Sequence, residues 1–391
     1  MNARRHVHPF PARMAPDIAL AELASLPQGS TVVDPMMGSG TVVRVASELG
    51  LVGRGFDVDP LAVLISRVES SSVDIDSCLR VAADVLRRAR NMWPQDVSLP
   101  WLDADHESLS FVEYWFAPRQ TGQLRCLSGC IVDVEDEDIR AFFQVCLSRI
   151  IVTKDRGASR ARDTSHSRPH RYYWDCEYDV YAAFSRSTRQ AASILSDIQS
   201  RRVGSAIATM GDARYLSGVA DSSADCVITS PPYSDAIDYL RGHRLSLVWL
   251  GHTVASLRGM RTASLGFRRS DSPEDLSTTP LSQAARSLPG TEVRRLATFV
   301  GDLRQVVAEV ARILRPSARA CFVTGNTVTA GVQIHNDELL EFLATRHGLR
   351  LVKRADRPLI ARHRYLPPPE TATEARLGQR MVSEVVMTFQ A

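Results

Sequence analysis

The sequence predicts an α/β fold: a doubly wound, mostly parallel sheet of seven strands, interrupted by an inserted helical, basic subdomain. Three observations predict it. Strand-like and helix-like runs alternate in the first and last thirds of the chain, a glycine-rich turn joins the first strand to a helix, and a basic middle segment breaks the alternation. With 391 residues, 44% hydrophobic and 23% charged, the chain can bury one large core and an inserted module.

The elements follow from apolar periodicity and from turn-forming residues between the apolar runs. The predicted strands cover residues 31–34, 52–57, 206–210, 224–229, 319–325, 349–353 and 383–389. The predicted helices cover residues 16–26, 41–49, 60–69, 77–92, 292–314 and 336–347.

The first predicted strand ends in an acid and a glycine-rich turn, residues 34–41, which read Asp-Pro-Met-Met-Gly-Ser-Gly-Thr. Gly38 and Gly40 remove side chains that would keep a ligand away from the backbone amides. The third glycine of a dinucleotide fingerprint is Val43 here, and no Lys-Ser/Thr pair follows to hold phosphates. Because Asp34 would repel a phosphate and attract an ammonium group, the turn predicts a zwitterionic or cationic ligand.

Further acids follow the next two strands. Asp57 ends the second predicted strand, where an open α/β fold places the acid that binds ribose hydroxyls, and Asp59 is expected to cap the next helix. Asp212 follows the third strand in a Gly-Asp pair that is also common in simple turns. We expect Asp34, Asp57 and Asp212 along one rim, where such sheets bind ligands.

Thr229 to Tyr233, which read Thr-Ser-Pro-Pro-Tyr, follow the fourth predicted strand. The two prolines lack amide hydrogens, so the carbonyls of Ser230 and Pro231 stay available as acceptors, and Tyr233 offers a flat face for stacking. A Pro-Pro pair after a strand also simply ends the strand, and alone it favours a structural interpretation. Beside the glycine turn, the motif predicts a site for a planar ring that carries an amino group.

These motifs resemble those of the S-adenosylmethionine-dependent DNA amino-methyltransferases, which methylate N4 of cytosine or N6 of adenine. The family's glycine motif, Asp-Pro-Phe-x-Gly-Ser-Gly-Thr, matches residues 34–41 with Met36 in place of Phe. Its catalytic motif, Ser/Asn/Asp-Pro-Pro-Tyr/Phe, matches Ser230 to Tyr233 fully. Its N-terminal motif, His-Pro-Tyr-Pro-Ala-Lys, is similar to residues 8–13, which read His-Pro-Phe-Pro-Ala-Arg.

The resemblance covers about residues 1–70 and 203–391, with the motifs in unpermuted order. It implies the Rossmann-like fold of class I methyltransferases, with residues 383–389 as an antiparallel edge strand. It also implies S-adenosyl-L-methionine as the cofactor, with Asp212 accepting a hydrogen bond from the adenine amine. The implied cofactor-binding residues are His8, Phe10, Pro11, Asp34, Pro35, Met36, Gly38, Ser39, Gly40, Thr41, Asp57, Val58, Asp212 and Ala213.

The implied reaction is methyl transfer to the exocyclic amine of a base that has left the duplex. The expected catalytic set is Ser230, Pro231, Pro232 and Tyr233, with Ser230 and Pro231 accepting from the amine and Tyr233 stacking on the ring. No cysteine follows a proline, so the nucleophile of carbon-5 methylation has no evident candidate. Serine before Pro-Pro-Tyr is more frequent with cytosine N4 in the resembled family, so N4-cytosine is favoured and N6-adenine is the alternative.

The middle of the chain departs from the family pattern. In residues 149–174, arginines alternate with Ser, Thr and His, a composition suited to phosphates and guanine edges, and a second basic stretch covers 252–290. A charge run is usually a solvated loop, but beside a base-binding motif it favours DNA contact. The expected DNA-binding residues are Arg156, Arg160, Arg162, Arg168, Arg171, Arg268 and Arg269.

We therefore divide the chain into three segments. Residues 1–95 form the first part of the catalytic domain, 96–200 an inserted subdomain for target recognition, and 201–391 the second part of the catalytic domain. The stretch 252–290 is predicted as a flexible loop that orders on DNA, and it is the second choice for target recognition.

Composition excludes several classes. The net charge of +3 does not by itself indicate a nucleic-acid binder. No apolar run is long enough to cross a membrane and the N-terminus is unlike a signal peptide, so a cytoplasmic protein is expected. The seven cysteines lack zinc-site spacing, so they are expected to be reduced thiols and no metal is expected.

The resemblance further implies double-stranded DNA as the partner, in the bacterial cytoplasm at the nucleoid, and a monomer or homodimer. It allows a cognate restriction endonuclease as a second partner. Two alternatives stay open: an RNA methyltransferase with the same motif, and a methyltransferase-like DNA-binding subunit that has lost turnover. The intact Asp34, Gly38, Gly40, Asp57 and Ser230 argue against the latter.

Overall fold

The computed structural model of the chain describes residues 5–10, 13–153, 155–162, 169–174, 177–234, 239–262, 264–267, 274–358 and 383–391. The chain divides into two compact units. The first, which we call the helical unit, comprises Met1–Pro11, Asp59–Arg202 and Asp238–Arg261. The second, the sheet unit, comprises Ala12–Val58, Val203–Ile237 and Thr262–Ala391.

The sheet unit is built on one large sheet and a small two-stranded one. The strands are β1 Thr31–Asp34, β2 Val52–Asp57, β3 Ser205–Met210, β4 Ala224–Thr229, β5 Leu314–Thr324, β6 Thr327–Thr329, β7 Val332–Ile334, β8 Arg350–Pro358 and β9 Ser383–Gln390. The large sheet has the order β3-β2-β1-β4-β5-β9-β8, and β6 pairs with β7. Strands β1 to β5 are parallel to one another, whereas β9 is antiparallel to both β5 and β8.

The predicted fold class, a seven-stranded and mostly parallel α/β sheet, is confirmed. The antiparallel direction of the last strand is confirmed, but its predicted place at the edge is wrong, because β9 lies between β5 and β8. The physical reason is burial on both faces: all six interior residues of β9 are buried, while most of β8 is exposed. A strand that is apolar on both faces belongs inside a sheet.

Helices of the sheet unit cover both faces of the large sheet. They are α1 Pro16–Leu23, α2 Thr41–Glu48, α12 Ser282–Ser287, α13 Gly290–Ile313 and α14 Asn336–Arg346, with a 3-10 helix at Leu276–Thr278. Val32 and Ile228 pack in one core with residues of α1 and α2, whereas Val33 and Val227 pack in another with residues of α13 and α14. Alternate residues of each strand therefore fill opposite layers.

The helical unit packs its helices around one apolar core that includes Phe142, Phe143, Phe184 and Trp249. The helices are α3 Pro60–Ser70, α4 Ile75–Asn91, α5 Pro100–Asp103, α6 His106–Trp115, α7 Pro118–Val132, α8 Glu137–Ile151, α9 Val180–Arg201, α10 Tyr239–Leu247 and α11 Val254–Thr262, with a 3-10 helix at Pro94–Asp96. An aspartate side chain caps the start of α3, α4, α6, α8 and α9. Such caps satisfy amides that the first helical turn leaves unbonded.

The boundaries of the two compact units differ from those of the predicted segments 1–95, 96–200 and 201–391. Helices α3, α4 and α10 belong to the helical unit together with the predicted insert. Within 252–290, predicted as a loop, the described residues include α11, α12 and a 3-10 helix. The role of residues 96–200 in target recognition stays a prediction. Among the helices that the structure describes, none combines the length and apolar character needed to cross a membrane.

Candidate active site

The turn after β1 is shaped by two glycines and two carboxylates. Gly38 and Gly40 have φ angles of +51° and +81°, the left-handed region that residues with a side chain rarely adopt. The Gly38 amide donates to Asp57 Oδ2 at 2.8 Å, and the Met36 amide donates to Asp34 Oδ1 at 3.1 Å. Asp57, at the end of β2, therefore holds the turn that follows β1.

The remaining predicted cofactor residues of the turn lie in the same loop and at the start of α2. Pro35, Ser39 and Thr41 are buried, and Met36 is half-buried. Val58 is half-buried directly after Asp57. Helix α2 begins at Thr41 with Gly40 as its N-terminal cap residue. The sheet unit thus places residues 34–41, Asp57 and Val58 around one strand-to-helix turn.

Asp34 joins this turn to the Thr-Ser-Pro-Pro-Tyr motif. Strands β1 and β4 are parallel neighbours, so their carboxyl ends lie side by side. The Thr229 hydroxyl donates to Asp34 Oδ1 at 2.8 Å. Asp34 is only 2% exposed, and burial raises its pKa to about 7, although its hydrogen bonds with Thr229 and Met36 act in the opposite direction. Near neutral pH the group therefore exists in both protonation states.

Ser230 and Tyr233 follow at the end of β4. The Ser230 hydroxyl donates to the Val323 carbonyl at 3.0 Å, so its oxygen can act as an acceptor, and its side chain also forms a hydrogen bond with Tyr233. Pro231 is buried, and Pro232 and Tyr233 are half-buried. Burial raises the pKa of Tyr233 to about 12, which keeps the phenol neutral. The motif presents acceptor oxygen atoms and one uncharged aromatic ring.

Asp212, after β3, is engaged with an arginine that the sequence reasoning did not single out. Its Oδ2 accepts from Arg214 Nη2 at 2.6 Å and its Oδ1 from Arg214 Nε at 3.0 Å. Arg214 is 4% exposed, and its Nη1 donates to Asp302 Oδ1 in α13 at 2.6 Å. Burial alone would lower the pKa of Arg214, but the hydrogen bonds with Asp212 and Asp302 raise it.

The Arg214 pair fixes the carboxylate of Asp212 at the end of β3, while Ala213 is buried in the apolar core. The predicted contact between Asp212 and an adenine amine stays a prediction. The carboxyl ends of β1 to β4, with Asp34, Asp57, Asp212 and Thr229 to Tyr233, are called the rim below. An Asp-x-Arg spacing was visible in the sequence, but the distant partner Asp302 was not.

His8 and Phe10, from the predicted N-terminal cofactor motif, lie in the helical unit. His8 is buried with Nε2 2.9 Å from Ser148 Oγ, and burial together with nearby positive groups holds its pKa well below its ordinary value. The Phe10 ring centre lies 5.2 Å from that of His243. Pro11 lies outside the described residues. The role of this motif in cofactor binding stays a prediction.

Asp59 caps α3, as predicted, by accepting from the Leu61 amide at 2.9 Å. Its second oxygen lies 2.5 Å from His243 Nδ1, a contact that joins residues 184 positions apart and had no signal in the sequence. A cavity of about 20 Å³ lies among His8, Ser148 and His243. That volume suits one water molecule and not a cofactor.

Four of the predicted DNA-binding arginines lie in described segments of the helical unit. Arg160 donates to the carbonyls of Glu113 and Tyr114 at 2.9 and 3.0 Å, so it holds the end of α6. Arg156 lies 5.5 Å from the Tyr173 ring centre, and Arg171 lies over two aromatic rings. Arg162 is exposed. The other three, Arg168, Arg268 and Arg269, lie outside the described residues.

Comparison with known proteins gives two sequence relatives. The chain is 21% identical over 432 aligned residues to the type II methyltransferase M.MvaI of Kocuria varians, covering 98% of this chain and 90% of that protein. It is also 21% identical over 326 residues to the type II methyltransferase M.MjaII of Methanocaldococcus jannaschii, covering 61% of this chain and 60% of the relative. No protein-family profile matches the chain.

Among solved structures, a SAM-dependent methyltransferase from Methanosarcina mazei aligns with a TM-score of 0.34 and 10% identity, over 97% of this chain and 98% of that one. The sequence matches are the more informative comparison, since the first of them spans both chains almost completely. Over nearly its whole length, this chain is therefore similar in sequence to a type II methyltransferase.

Proposed function

We propose that this protein transfers a methyl group from S-adenosyl-L-methionine to the exocyclic N4 amine of a cytosine in double-stranded DNA. The observation that carries the proposal is the hydrogen bond between Thr229 and Asp34, which links the Ser-Pro-Pro-Tyr motif to the glycine turn. The sequence similarity to a type II methyltransferase over 98% of the chain supports the same class of reaction.

The rim suits a cofactor that carries an amino acid group and a ribose. Asp34 has a pKa of about 7, and a cationic group beside it would favour the charged carboxylate. Asp57 stands at the end of β2, where open α/β folds bind ribose hydroxyls. Residues 34–41, Asp57, Val58, Asp212 and Ala213 would hold the cofactor, which supplies an electrophilic methyl group on a sulfonium.

Ser230 and Pro231 would act on the amine of the base. An exocyclic amine is a poor nucleophile while its lone pair is delocalised into the ring. Acceptors that hold its hydrogens out of the ring plane favour a pyramidal nitrogen with a localised lone pair. Ser230 can accept such a bond because its own hydrogen is donated to Val323. The neutral Tyr233 ring would stack on the base and fix its direction toward the methyl group.

The substrate would be duplex DNA from which the target base is extruded, at a cost of roughly a few kcal/mol. Basic side chains of the helical unit, among them Arg156, Arg162 and Arg171, would offset part of this cost by contacting phosphates. Arg160 would contribute through its charge, since its Nη1 group is engaged with two backbone carbonyls.

The test is mass analysis of nucleosides from duplex DNA incubated with the protein and the cofactor. N4-methylcytosine is the expected product. N6-methyladenine without N4-methylcytosine would replace the base in the proposal by its alternative, adenine. Transfer to RNA that duplex DNA does not compete away would contradict DNA as the substrate. Absence of any methylated nucleoside would contradict the enzymatic function itself.

A further inference from the structure

The end of α6 and a neighbouring segment of the helical unit carry three exposed aromatic side chains, two of which lie against an arginine. Trp174, Tyr172 and Tyr114 are 76%, 54% and 51% exposed. The guanidinium carbon of Arg171 lies 3.6 Å from the ring centre of Trp174 and 4.6 Å from that of Tyr114. These four residues, Tyr114, Arg171, Tyr172 and Trp174, are called the aromatic surface.

The aromatic surface is supported by backbone hydrogen bonds from a neighbouring segment. Ala161 and Arg171 form an antiparallel bridge, and the Tyr172 amide donates to the Arg160 carbonyl at 2.9 Å. The Arg160 guanidinium donates to the Tyr114 carbonyl at 3.0 Å. Arg160 therefore ties the segment that carries Tyr172 and Trp174 to the end of α6, which carries Tyr114. The backbone of Tyr172 and Tyr114 is therefore held in place, while their rings stay exposed.

The chemistry of the surface favours an anionic partner with flat faces. Aromatic side chains are usually buried on folding, because burial of their large apolar surface is favourable. A cluster of exposed tryptophan and tyrosine therefore indicates an interaction site. Within the described segments 155–162 and 169–174, the basic residues are four arginines and one histidine, and the acidic residue is one aspartate. This excess of positive charge complements nucleic acid.

We propose that the aromatic surface stacks on a nucleobase that is exposed when duplex DNA opens. The inference rests on the proposed function, because extrusion of a target base leaves its partner and its neighbours unstacked. An intact duplex presents only base edges in its grooves, whereas an aromatic face needs the face of a base. Arg171, stacked between Trp174 and Tyr114, orients the rings and adds a charge for the nearby phosphate.

The experiment compares binding of the full-length protein to two labelled DNA probes by fluorescence anisotropy. One probe is a fully paired duplex, and the other is the same duplex with one unpaired cytosine. The wild type is expected to prefer the opened probe. Trp174→Ala should bind the opened probe about tenfold more weakly, since stacking contributes that order of affinity per base. The salt dependence should not change, because tryptophan carries no charge.

Two variants control for loss of folding and for general surface effects. Trp93 is 69% exposed in the same unit and is not part of the aromatic surface, so Trp93→Ala should bind like the wild type. Trp174→Phe retains a stacking face and should keep most of the preference. If Trp174→Ala lowers the melting temperature, Tyr172→Ala tests the inference independently, and it should also bind the opened probe more weakly than the wild type.

Equal binding of Trp174→Ala and Trp93→Ala to the opened probe would overturn the inference and leave the surface to a protein partner. The inference would also be overturned if Trp174→Phe lost as much affinity for the opened probe as Trp174→Ala, because stacking would then not be the cause. If the wild type methylates DNA while Trp174→Ala binds the opened probe like the wild type, the inference fails and the proposed function stands. If Trp174 governs binding but no methyl group is transferred to any DNA, the proposed function fails and the inference stands.

Discussion

Aspartates end strands in the sheet unit and begin helices in the helical unit, and the two groups differ in the range of their contacts. At the rim, Asp34 contacts Thr229, 195 positions away, and Asp57 contacts Gly38, 19 positions away. In the helical unit, Asp136 accepts from amides two and three positions along the chain. Capping is a local task, whereas a binding rim has to be assembled from distant strands.

The difference also appears in protonation and solvent contact. Asp34 is buried, and burial raises its pKa to about 7. Asp136 is exposed and stabilises the first turn of α8 through two hydrogen bonds. The same residue type is therefore costly to ionise in one unit and favourable at a helix start in the other. Substitutions in both units test this contrast and the chemistry of the rim.

Arg214→Ala should have the largest effect, because it leaves Asp212 and Asp302 without their shared cation. We expect the free energy of unfolding to fall by about 4 kcal/mol, the usual cost of removing one partner of a buried ion pair. Urea unfolding followed by circular dichroism measures it. Arg295→Ala, which removes an exposed pair with Glu292, should change the value by less than about 1 kcal/mol. Similar losses in the free energy of unfolding of Arg214→Ala and Arg295→Ala would contradict the larger contribution expected of the buried pairs at the rim.

Tyr233→Ala should reduce the rate of methyl transfer about a hundredfold, because the base loses the ring that aligns it. Cofactor affinity, measured by equilibrium dialysis, should be nearly unchanged. Tyr233→Phe keeps the stacking face and should retain most of the rate. The matched control is Tyr215→Ala, a 57% exposed tyrosine of the same unit. A parallel loss of cofactor binding would show that the base-binding motif has been assigned to the wrong place.

Asp34→Asn should flatten part of the pH dependence of stability. The folded-state pKa of Asp34 is raised above its unfolded value, so its favourable contribution is present below about pH 4 and is lost as the pH rises through about 7. The amide can still accept from Thr229. The wild type should therefore lose up to about 4 kcal/mol relative to the variant between these limits, since the folded-state pKa lies about three units above the unfolded one. Unfolding curves across this range measure the difference, and parallel profiles would refute it.

Asp136→Ala should have the smallest effect. It removes the cap of α8 and should lower the free energy of unfolding by about 1 kcal/mol at neutral pH. Asp136→Asn should be nearly neutral, because asparagine caps helices as well as aspartate does. Chemical denaturation of the three proteins in one buffer is sufficient. A large loss in Asp136→Asn would mean that its charge, and not its cap, is what matters.

The sheet could be predicted because each strand of the large sheet and most of the helices beside it carry their own periodicity. The seven strands of the large sheet overlap the predicted runs, although β5 begins at Leu314 and β8 runs to Pro358. Asp59 caps α3 as expected from its place before Pro60. The interior position of β9 was missed, although the consecutive apolar residues 385–387 are a signal for a strand buried on both faces. Strand order depends on how several elements pack, which a local pattern does not contain.

The rim was predicted in outline and missed in its contacts. Parallel strands place their carboxyl ends together, so Asp34, Asp57 and Asp212 could be assigned to one region. The partner of Arg214 could not be, because Asp302 lies 88 positions away in a long helix. The link between Asp59 and His243 spans 184 positions and has no motif. Contacts of this kind follow from tertiary packing and leave no local trace.

The burial of Asp34 has a consequence for calorimetry. A carboxyl group whose pKa lies near 7 is about half protonated at neutral pH, and a cation bound beside it would complete its ionisation. Up to about half a proton would then be released for each ligand bound. The heat of binding would accordingly vary with the ionisation enthalpy of the buffer, so a comparison between phosphate and Tris would count that proton directly.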